Sequence, residues 1–200
     1  MDYIGDVIYE YAGGLYINMT NRCPCRCDFC IRDMARSLGD ADSLWLKREP
    51  TFDELVAMFD SRSNGQYEEV VFCGYGEPTE RLDVMLAMCD HIKRTSGLRT
   101  RLNTNGLSDL INQRPTAKEM AGRLDAVSVS LNAPTPEKYM ELCHPRFGRE
   151  AFGHIIQFTE DIKQYVSDVT MSVVSGSISP EDIEDCRRIA EKLQVRFRVR

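Results

Sequence analysis

The sequence predicts an α/β fold in which parallel strands are joined by helical crossovers. Six short runs rich in β-branched and aromatic residues recur along the 200-residue chain, and helix-like segments separate them. Connections of this kind are almost always right-handed and place the strands in one sheet. Six such units form either an open sheet or a curved, incomplete barrel. In both architectures functional groups gather beyond the C-terminal ends of the strands.

The predicted strands follow an N-terminal β-hairpin. The run from Val7 to Tyr11 precedes Gly13-Gly14, a turn signal that leads into the first long strand. The six predicted strands are Leu15 to Thr20, Glu69 to Cys73, Arg99 to Thr104, Asp125 to Leu131, Val169 to Val174 and Val195 to Val199. Helices are predicted at Thr51 to Ser63, Glu80 to Ser96, Thr116 to Leu124, Arg149 to Val166 and Pro180 to Leu193. Because a typical domain has about 100 to 200 residues, residues 1–200 are expected to form a single domain.

Composition and charge limit the classes of function. The chain is 42% hydrophobic, and no apolar run approaches the roughly 20 residues that cross a bilayer, so no membrane partner is expected. The formal charge is -6 without a long basic tract, so nucleic acid is not indicated as a partner. The N-terminus lacks the basic start and apolar core of a signal peptide, which predicts a cytoplasmic location. In such a reducing compartment clustered cysteines more often bind metal than form disulfides.

Three cysteines directly after the first strand form the most informative motif. Cys23, Cys27 and Cys30 have the spacing CxxxCxxC. A 4Fe-4S cluster normally takes four thiolates, so three leave one iron with open positions for a substrate or cofactor. A structural zinc site is disfavoured because four ligands packed between Cys23 and Cys30 would be too cramped. Cys25 is left as a spare thiol on this loop, and its ligation of iron in place of a neighbour stays open.

Polar groups also follow the next three strands. The second strand leads into Cys73-Gly74-Tyr75-Gly76-Glu77-Pro78, where glycines allow close backbone approach and Glu77 offers a carboxylate to an ammonium group. The alternative is that Glu77 caps a helix that begins near Thr79. The third strand ends in Thr104-Asn105-Gly106, and the fourth carries Ser130 and Asn132. Four successive strand ends therefore carry polar or metal-binding groups.

Together these motifs resemble the radical S-adenosylmethionine (radical SAM) superfamily. The resemblance rests on CxxxCxxC with Phe29 before the last cysteine, then Gly-Glu-Pro, Thr-Asn-Gly and Val-Ser-Leu-Asn on successive strands. It implies a partial (β/α)6 TIM-like barrel of the radical SAM type, with the hairpin as an N-terminal extension. It also implies an enzyme with a 4Fe-4S cluster and SAM as cofactors. An electron from a donor such as flavodoxin or ferredoxin would cleave SAM to a 5'-deoxyadenosyl radical, which abstracts hydrogen from the substrate.

The resemblance also assigns roles to particular residues. Cys23, Cys27 and Cys30 would hold the cluster, and Gly76, Glu77 and Pro78 would contact the methionine ammonium of SAM. Thr104, Ser130 and Asn132 match positions that contact its carboxylate or ribose, and Phe29 would lie near the adenine. The layout is similar in particular to the TatD-associated radical SAM proteins, which implies a TatD-like metal-dependent hydrolase as a partner. The alternative function is a non-catalytic iron-sulfur subunit of such a hydrolase.

Strand parity predicts the substrate side of the barrel. Ser128, Ser130 and Asn132 alternate with apolar residues, and Arg196 and Arg198 do the same on the last strand. The inner face should therefore be polar and partly cationic, which suits a substrate with a carboxylate or phosphate. The alternative is that these arginines protect an edge strand from aggregation.

A long segment after the cysteines is the second predicted substrate element. Residues Arg32 to Pro50, which include Trp45, are too many for a simple loop and follow the cysteines directly. They are predicted to form a substrate-selecting lid. The alternative is that Trp45 anchors the loop by burial.

Overall fold

A computed structural model of the chain describes residues 3–34, 38–63 and 67–200. Seven strands form one sheet in the order β1-β2-β3-β4-β5-β6-β7. The strands are β1 Ile8–Tyr11, β2 Gly14–Ile17, β3 Glu69–Phe72, β4 Arg99–Thr104, β5 Ala126–Ser130, β6 Asp168–Val173 and β7 Arg196–Val199. The hairpin strands β1 and β2 are antiparallel, and every later pair is parallel. Because β1 and β7 are the two edges, the sheet is a partial barrel, and the predicted fold class is confirmed.

Helices cover the outer face of the sheet. They are α1 Ile31–Met34, α2 Phe52–Arg62, α3 Leu82–Thr95, α4 Ser108–Asn112, α5 Pro136–Cys143, α6 Glu150–Ile162 and α7 Pro180–Lys192, with 3-10 turns at Pro78–Arg81 and Ala117–Met120. Phe72, Val129 and Met171 are each 0% exposed on the helix-covered face. Burying a side chain of this size stabilises the fold by about 1.5 to 3 kcal/mol. This core fixes the strands whose ends carry the site.

The structure corrects one predicted helix and adds three. Residues 116–124 contain only the 3-10 turn at Ala117–Met120, because Gly122 takes a φ of +70° and interrupts any longer helix. Helices α1, α4 and α5 were not predicted. The start of α5 carries an ordinary signal, since Thr135 accepts a hydrogen bond from the Lys138 amide at 3.3 Å and Pro136 occupies the first turn. The predicted capping start at Thr51 is confirmed, with both hydrogen bonds of a capping box present.

Within the described residues, no helix is both long and apolar enough to span a bilayer.

Candidate cofactor site at the carboxyl ends of the strands

The cysteine loop is fastened to the C-terminal end of α5. The amides of Arg26 and Asp28 donate to the carbonyls of Cys143 and Leu142, both at 3.0 Å. In return the amide of Arg146 donates to the carbonyl of Pro24 at 2.7 Å. These backbone bonds fix the loop on both sides of Cys25. The predicted placement of the cysteines beyond the end of the first parallel strand is therefore seen.

The three predicted cluster ligands are partly buried thiols of one loop. The Asn105 side-chain amide lies 3.8 Å from the Cys23 sulfur, and the Cys27 sulfur lies 3.9 Å from the carbonyl of Cys143. A contact with the Cys25 thiol raises the pKa of Cys23, and a contact with Cys143 does the same for Cys27. Burial also raises the pKa of all three thiols. Iron binding removes such protons, since a coordinating thiol is deprotonated.

The donor set suits a cluster better than a single ion. Across the described parts of the chain, no three His, Cys, Asp or Glu side chains come together as a site for one metal ion. A zinc ion needs its ligands at about 2.0 to 2.3 Å, whereas a 4Fe-4S cluster takes its thiolates at separate irons. Three accessible thiols on one loop fit the group that the resemblance implies.

Cys25 is the most deeply buried cysteine of the loop. It is 5% exposed, and its sulfur lies 3.6 Å from the Tyr139 hydroxyl. Cys23, Cys27 and Cys30 are less buried. The contact with Tyr139 gives Cys25 a packing role between the loop and α5, which the sequence left open.

The turn after β3 packs backbone to backbone against the start of the cysteine loop. The Glu77 amide donates to the carbonyl of Arg22 at 2.8 Å. A Cβ atom added at Gly76 would lie 2.2 Å from the carbonyl oxygen of Thr20, closer than real Cβ atoms come. The predicted reason for a glycine here is therefore seen, and Gly76 allows the turn to support the cysteine loop.

The Glu77 carboxylate is buried and accepts four hydrogen bonds. Its Oε1 accepts from the Thr79 amide at 3.2 Å and from the hydroxyls of Thr79 and Thr104, each at 2.8 Å. Its Oε2 accepts a hydrogen bond from the backbone amide of Asn105 at 2.7 Å. Burial raises the pKa of Glu77, and these four bonds oppose that rise. The carboxylate therefore braces the turn against the end of β4.

This brace bears on two predictions. The alternative that Glu77 caps a helix is confirmed, because it caps the 3-10 turn at Pro78–Arg81. Each carboxylate oxygen offers about two lone-pair sites, so three donors saturate Oε1, whereas the single donor on Oε2 leaves one site of that oxygen open. The hydroxyl of Thr104 is likewise committed to Glu77. The contact between this segment and the SAM ammonium stays a prediction.

Ser130, Asn132 and Phe29 lie in different surroundings. The Ser130 hydroxyl accepts a hydrogen bond from the Arg200 guanidinium at 3.1 Å. Asn132 has a φ of +61°, its amide nitrogen lies 3.7 Å from the Cys143 sulfur, and its Oδ1 is buried without a partner in the described structure. Phe29 is partly buried and packs against the main hydrophobic core. The contact of Asn132 with SAM stays a prediction, and its Oδ1 is a buried acceptor without a partner among the described residues.

Glu49 holds the start of the cysteine loop and was not predicted. Its carboxylate accepts from the Thr20 hydroxyl at 2.6 Å and from the Arg22 guanidinium at 2.7 Å. Arg22 also donates to the carbonyl of Glu80 at 3.1 Å. The contact between Arg22 and Glu49 cannot be predicted from local spacing, because the two residues are 27 positions apart.

Trp45 lies beside the turn after β3. Its ring is 5.2 Å from that of Tyr75 in an edge-to-face contact, and Trp45 is 46% exposed, so the prediction that it anchors the loop by burial is wrong. In the predicted lid, residues 35–37 lie outside the described residues. Part of the remainder is held by asparagine side chains, since the side-chain amide of Asn18 donates to the carbonyl of Leu44 and that of Asn21 to the carbonyl of Leu46, each at 2.7 Å. The lid function stays a prediction, with Trp45 on a fixed segment.

The inner face of β4 to β7 is polar, as strand parity predicts, whereas on β1 to β3 the same face carries the buried Tyr9, Tyr16 and Val71. A cavity of about 430 Å³ lies towards the amino ends of the strands, with Arg196 and Arg198 in its wall. Arg196 pairs with Asp168. Strand β7 is also an edge of the sheet, as the alternative requires, and the substrate role of Arg196 and Arg198 stays a prediction.

Comparison with known proteins identifies the class of this fold and site. The sequence profile of the Radical SAM superfamily matches residues 17–192. The chain therefore belongs to the radical SAM superfamily. This is a superfamily of enzymes that use a 4Fe-4S cluster and SAM, which are the cofactors implied by the cysteine motif.

Two curated relatives carry related names. The probable GTP 3',8-cyclase of Thermococcus kodakarensis is 30% identical over 196 residues, covering 93% of this chain and 57% of the relative. The GTP 3',8-cyclase of Streptomyces coelicolor is 31% identical over 144 residues, covering 68% of this chain and 38% of the relative. The chain thus spans about half the length of the relatives it matches.

Solved structures show the same fold at low sequence identity. A radical SAM methyltransferase from Sphaerobacter thermophilus superposes with a TM-score of 0.68 at 20% identity, over 96% of this chain and 57% of the other. SuiB of Streptococcus suis, solved with its precursor peptide SuiA, gives 0.70 at 18% identity over 96% and 40%.

Proposed function

We propose that this chain performs radical SAM catalysis on a polar, anionic small molecule. The single observation that carries the proposal is the cysteine loop, held at the carboxyl ends of the strands by α5 and by the turn after β3. When bound, the cluster and SAM supply a 5'-deoxyadenosyl radical that abstracts hydrogen. The chain's own residues bind these groups, orient them and exclude water.

The residues of the loop and its neighbours divide the work of binding. Cys23, Cys27 and Cys30 would hold three irons and leave the fourth for SAM. Three hydrogen bonds saturate Oε1 of Glu77 and one reaches Oε2, so the SAM ammonium would meet the remaining lone pair of Oε2 and backbone carbonyls of the Gly76-Glu77-Pro78 turn.

The remaining predicted contacts lie around this turn. The free Oδ1 of Asn132 would accept a hydrogen bond from SAM, and Ser130 would contact its ribose or carboxylate. The proposal keeps Phe29 near the adenine.

The proposed substrate class rests on the positive charge of the last strand. Arg196 and Arg198 lie on the inner face of β7, and guanidinium groups favour a phosphate or carboxylate. The names of the two relatives make GTP the first substrate to test. Trp45, exposed beside the turn after β3, would border the entrance. A flavodoxin or ferredoxin as electron donor is part of the same proposal.

The experiment is anaerobic reconstitution with iron and sulfide, followed by reduction in the presence of SAM and chromatography for 5'-deoxyadenosine. Wild type should form 5'-deoxyadenosine, and Cys30→Ser should not. Cys186→Ser is the matched control, because this buried thiol belongs to α7 and not to the cysteine loop, so the yield should stay unchanged. Absence of cleavage by wild type with a full cluster would contradict the proposal.

The narrower TatD-associated family, and a TatD-like hydrolase as partner, belong to the same set of proposals. The non-catalytic subunit alternative predicts a loaded cluster that never cleaves SAM. The assay above separates it from the enzyme, because it measures cluster content and cleavage in one preparation.

A further inference from the structure

The inner face of the barrel carries a surplus of positive charge. Five arginines lie on this face at or just beyond strands β4 and β7, namely Arg99, Arg101, Arg196, Arg198 and Arg200. Its two carboxylates, on β3 and β6, belong to Glu69 and Asp168. Charge alone therefore suits an anion, and the ion pairs show where the surplus lies.

The lower arginines are neutralised by these carboxylates. Arg101 lies 2.7 Å from Glu69, Arg99 lies 3.4 Å from Asp168, and Arg196 also pairs with Asp168. Over the described ranges, neither Arg198 nor Arg200 has a carboxylate within ion-pair distance. The surplus charge is therefore held by the last two arginines.

A row of hydroxyls lies beside these two arginines. Ser130, Ser172 and Arg198 are in register across β5, β6 and β7, so their side chains share the inner face. The Arg200 guanidinium reaches across this row to the Ser130 hydroxyl at 3.1 Å. The Arg200 backbone is fixed to β6, since its amide donates to the carbonyl of Val173 at 2.9 Å.

The same face holds buried polar atoms without partners. The Ser172 hydroxyl is 0% exposed and has no hydrogen-bond partner in the described structure. Two atoms of strand β4 are likewise buried without a hydrogen-bond partner, namely Arg101 Nε and Asn103 Oδ1. Leaving a buried polar group unpaired costs about 1 to 3 kcal/mol, so such groups mark places where a ligand or water completes the hydrogen bonds.

We propose that Arg198, Arg200 and Ser172 form an oxyanion subsite that holds the phosphate or carboxylate end of the substrate. This inference rests on the proposed function, because it names the anchor for the substrate of the same site. Two guanidinium groups supply paired donors to a tetrahedral or planar oxyanion, and the Ser172 hydroxyl supplies one more. The row lies near the carboxyl ends of β5 and β6, so the reacting end of the substrate would point towards the cysteine loop.

The test is calorimetric titration of the cluster-loaded protein with SAM present, using inorganic phosphate in one arm and succinate in the other. Arg198→Gln and Ser172→Ala should each weaken binding of the preferred anion about tenfold, which is about 1.4 kcal/mol. Arg99→Gln is the matched control, because it removes an inner-face arginine already paired with Asp168 and should change affinity less than about threefold. Circular dichroism checks that each variant is folded.

The two arms identify the source of the oxyanion. Tighter phosphate binding indicates a phosphate ester, and tighter succinate binding indicates a carboxylate. Failure of both anions to bind, or equal affinity in wild type and Arg198→Gln, would overturn the subsite. Formation of 5'-deoxyadenosine by wild type, measured in the same preparation, reports separately on the proposed function.

Discussion

Replacing Glu77 by Gln tests whether this residue braces the turn or binds SAM directly. A glutamine can keep its carbonyl oxygen at the position of Oε1, which accepts three of the four hydrogen bonds. The amide group of the glutamine then faces the backbone amide of Asn105, which in the wild type donates to Oε2 at 2.7 Å. One bond to a charged acceptor is lost and a buried donor faces another donor. The expected loss of unfolding free energy is about 2 to 4 kcal/mol.

The assay is urea denaturation of the cluster-free protein without SAM, followed by circular dichroism. Glu137→Gln is the matched control, because its side chain is 53% exposed and its ion pair with Arg149 lies on the surface. The control should change stability by less than about 1 kcal/mol. A Glu77→Gln variant as stable as wild type, with weakened SAM binding, would refute the brace and restore a direct contact with the ammonium.

Three further predictions follow from single contacts. Gly76→Ala should lower the iron content after reconstitution, because its Cβ would lie 2.2 Å from the carbonyl oxygen of Thr20. Gly153→Ala is the control, since its Cβ would meet nothing within 4 Å. This second change should stabilise α6 by about 0.5 to 1 kcal/mol. Cys25→Ser should keep the full iron and sulfide content after reconstitution. A lower content in this variant would show that Cys25 is a ligand. Hydrogen bonds from Arg48 hold the pKa of Glu54 at about 2, below its usual 4.5, so its stabilisation is present above pH 4.5 and disappears as pH falls towards 2. The difference in urea midpoint between wild type and Glu54→Gln should therefore shrink over that range, and a constant difference would contradict the ion pair.

The sequence predicted the sheet well because its strands are short apolar runs of period two. The positions of the strands, the hairpin and the polar inner face of the later strands follow from local pattern. The helix at Pro136–Cys143 was missed, although Thr135 and Pro136 form a usual start signal. The error at 116–124 has a local cause, because Gly122 interrupts a segment with otherwise helical composition.

The site was harder to predict than the fold. The cysteines are adjacent in sequence, so their spacing was readable. The roles of Glu77 and Glu49 depend on partners from other strands and loops, which no local pattern records. The proposed roles of Arg200 and Ser172 could not be predicted from the sequence. They depend on the register of β6 and β7 and on the ion pairs that neutralise the other arginines.

The central claim is that Cys23, Cys27 and Cys30 hold a cluster whose fourth iron binds SAM. The most direct measurement is electron-nuclear double resonance of the reduced, reconstituted protein with SAM labelled by oxygen-17 in its carboxylate. The account predicts hyperfine coupling between the cluster and the label. A fully loaded cluster that shows no coupling while SAM is bound would contradict it.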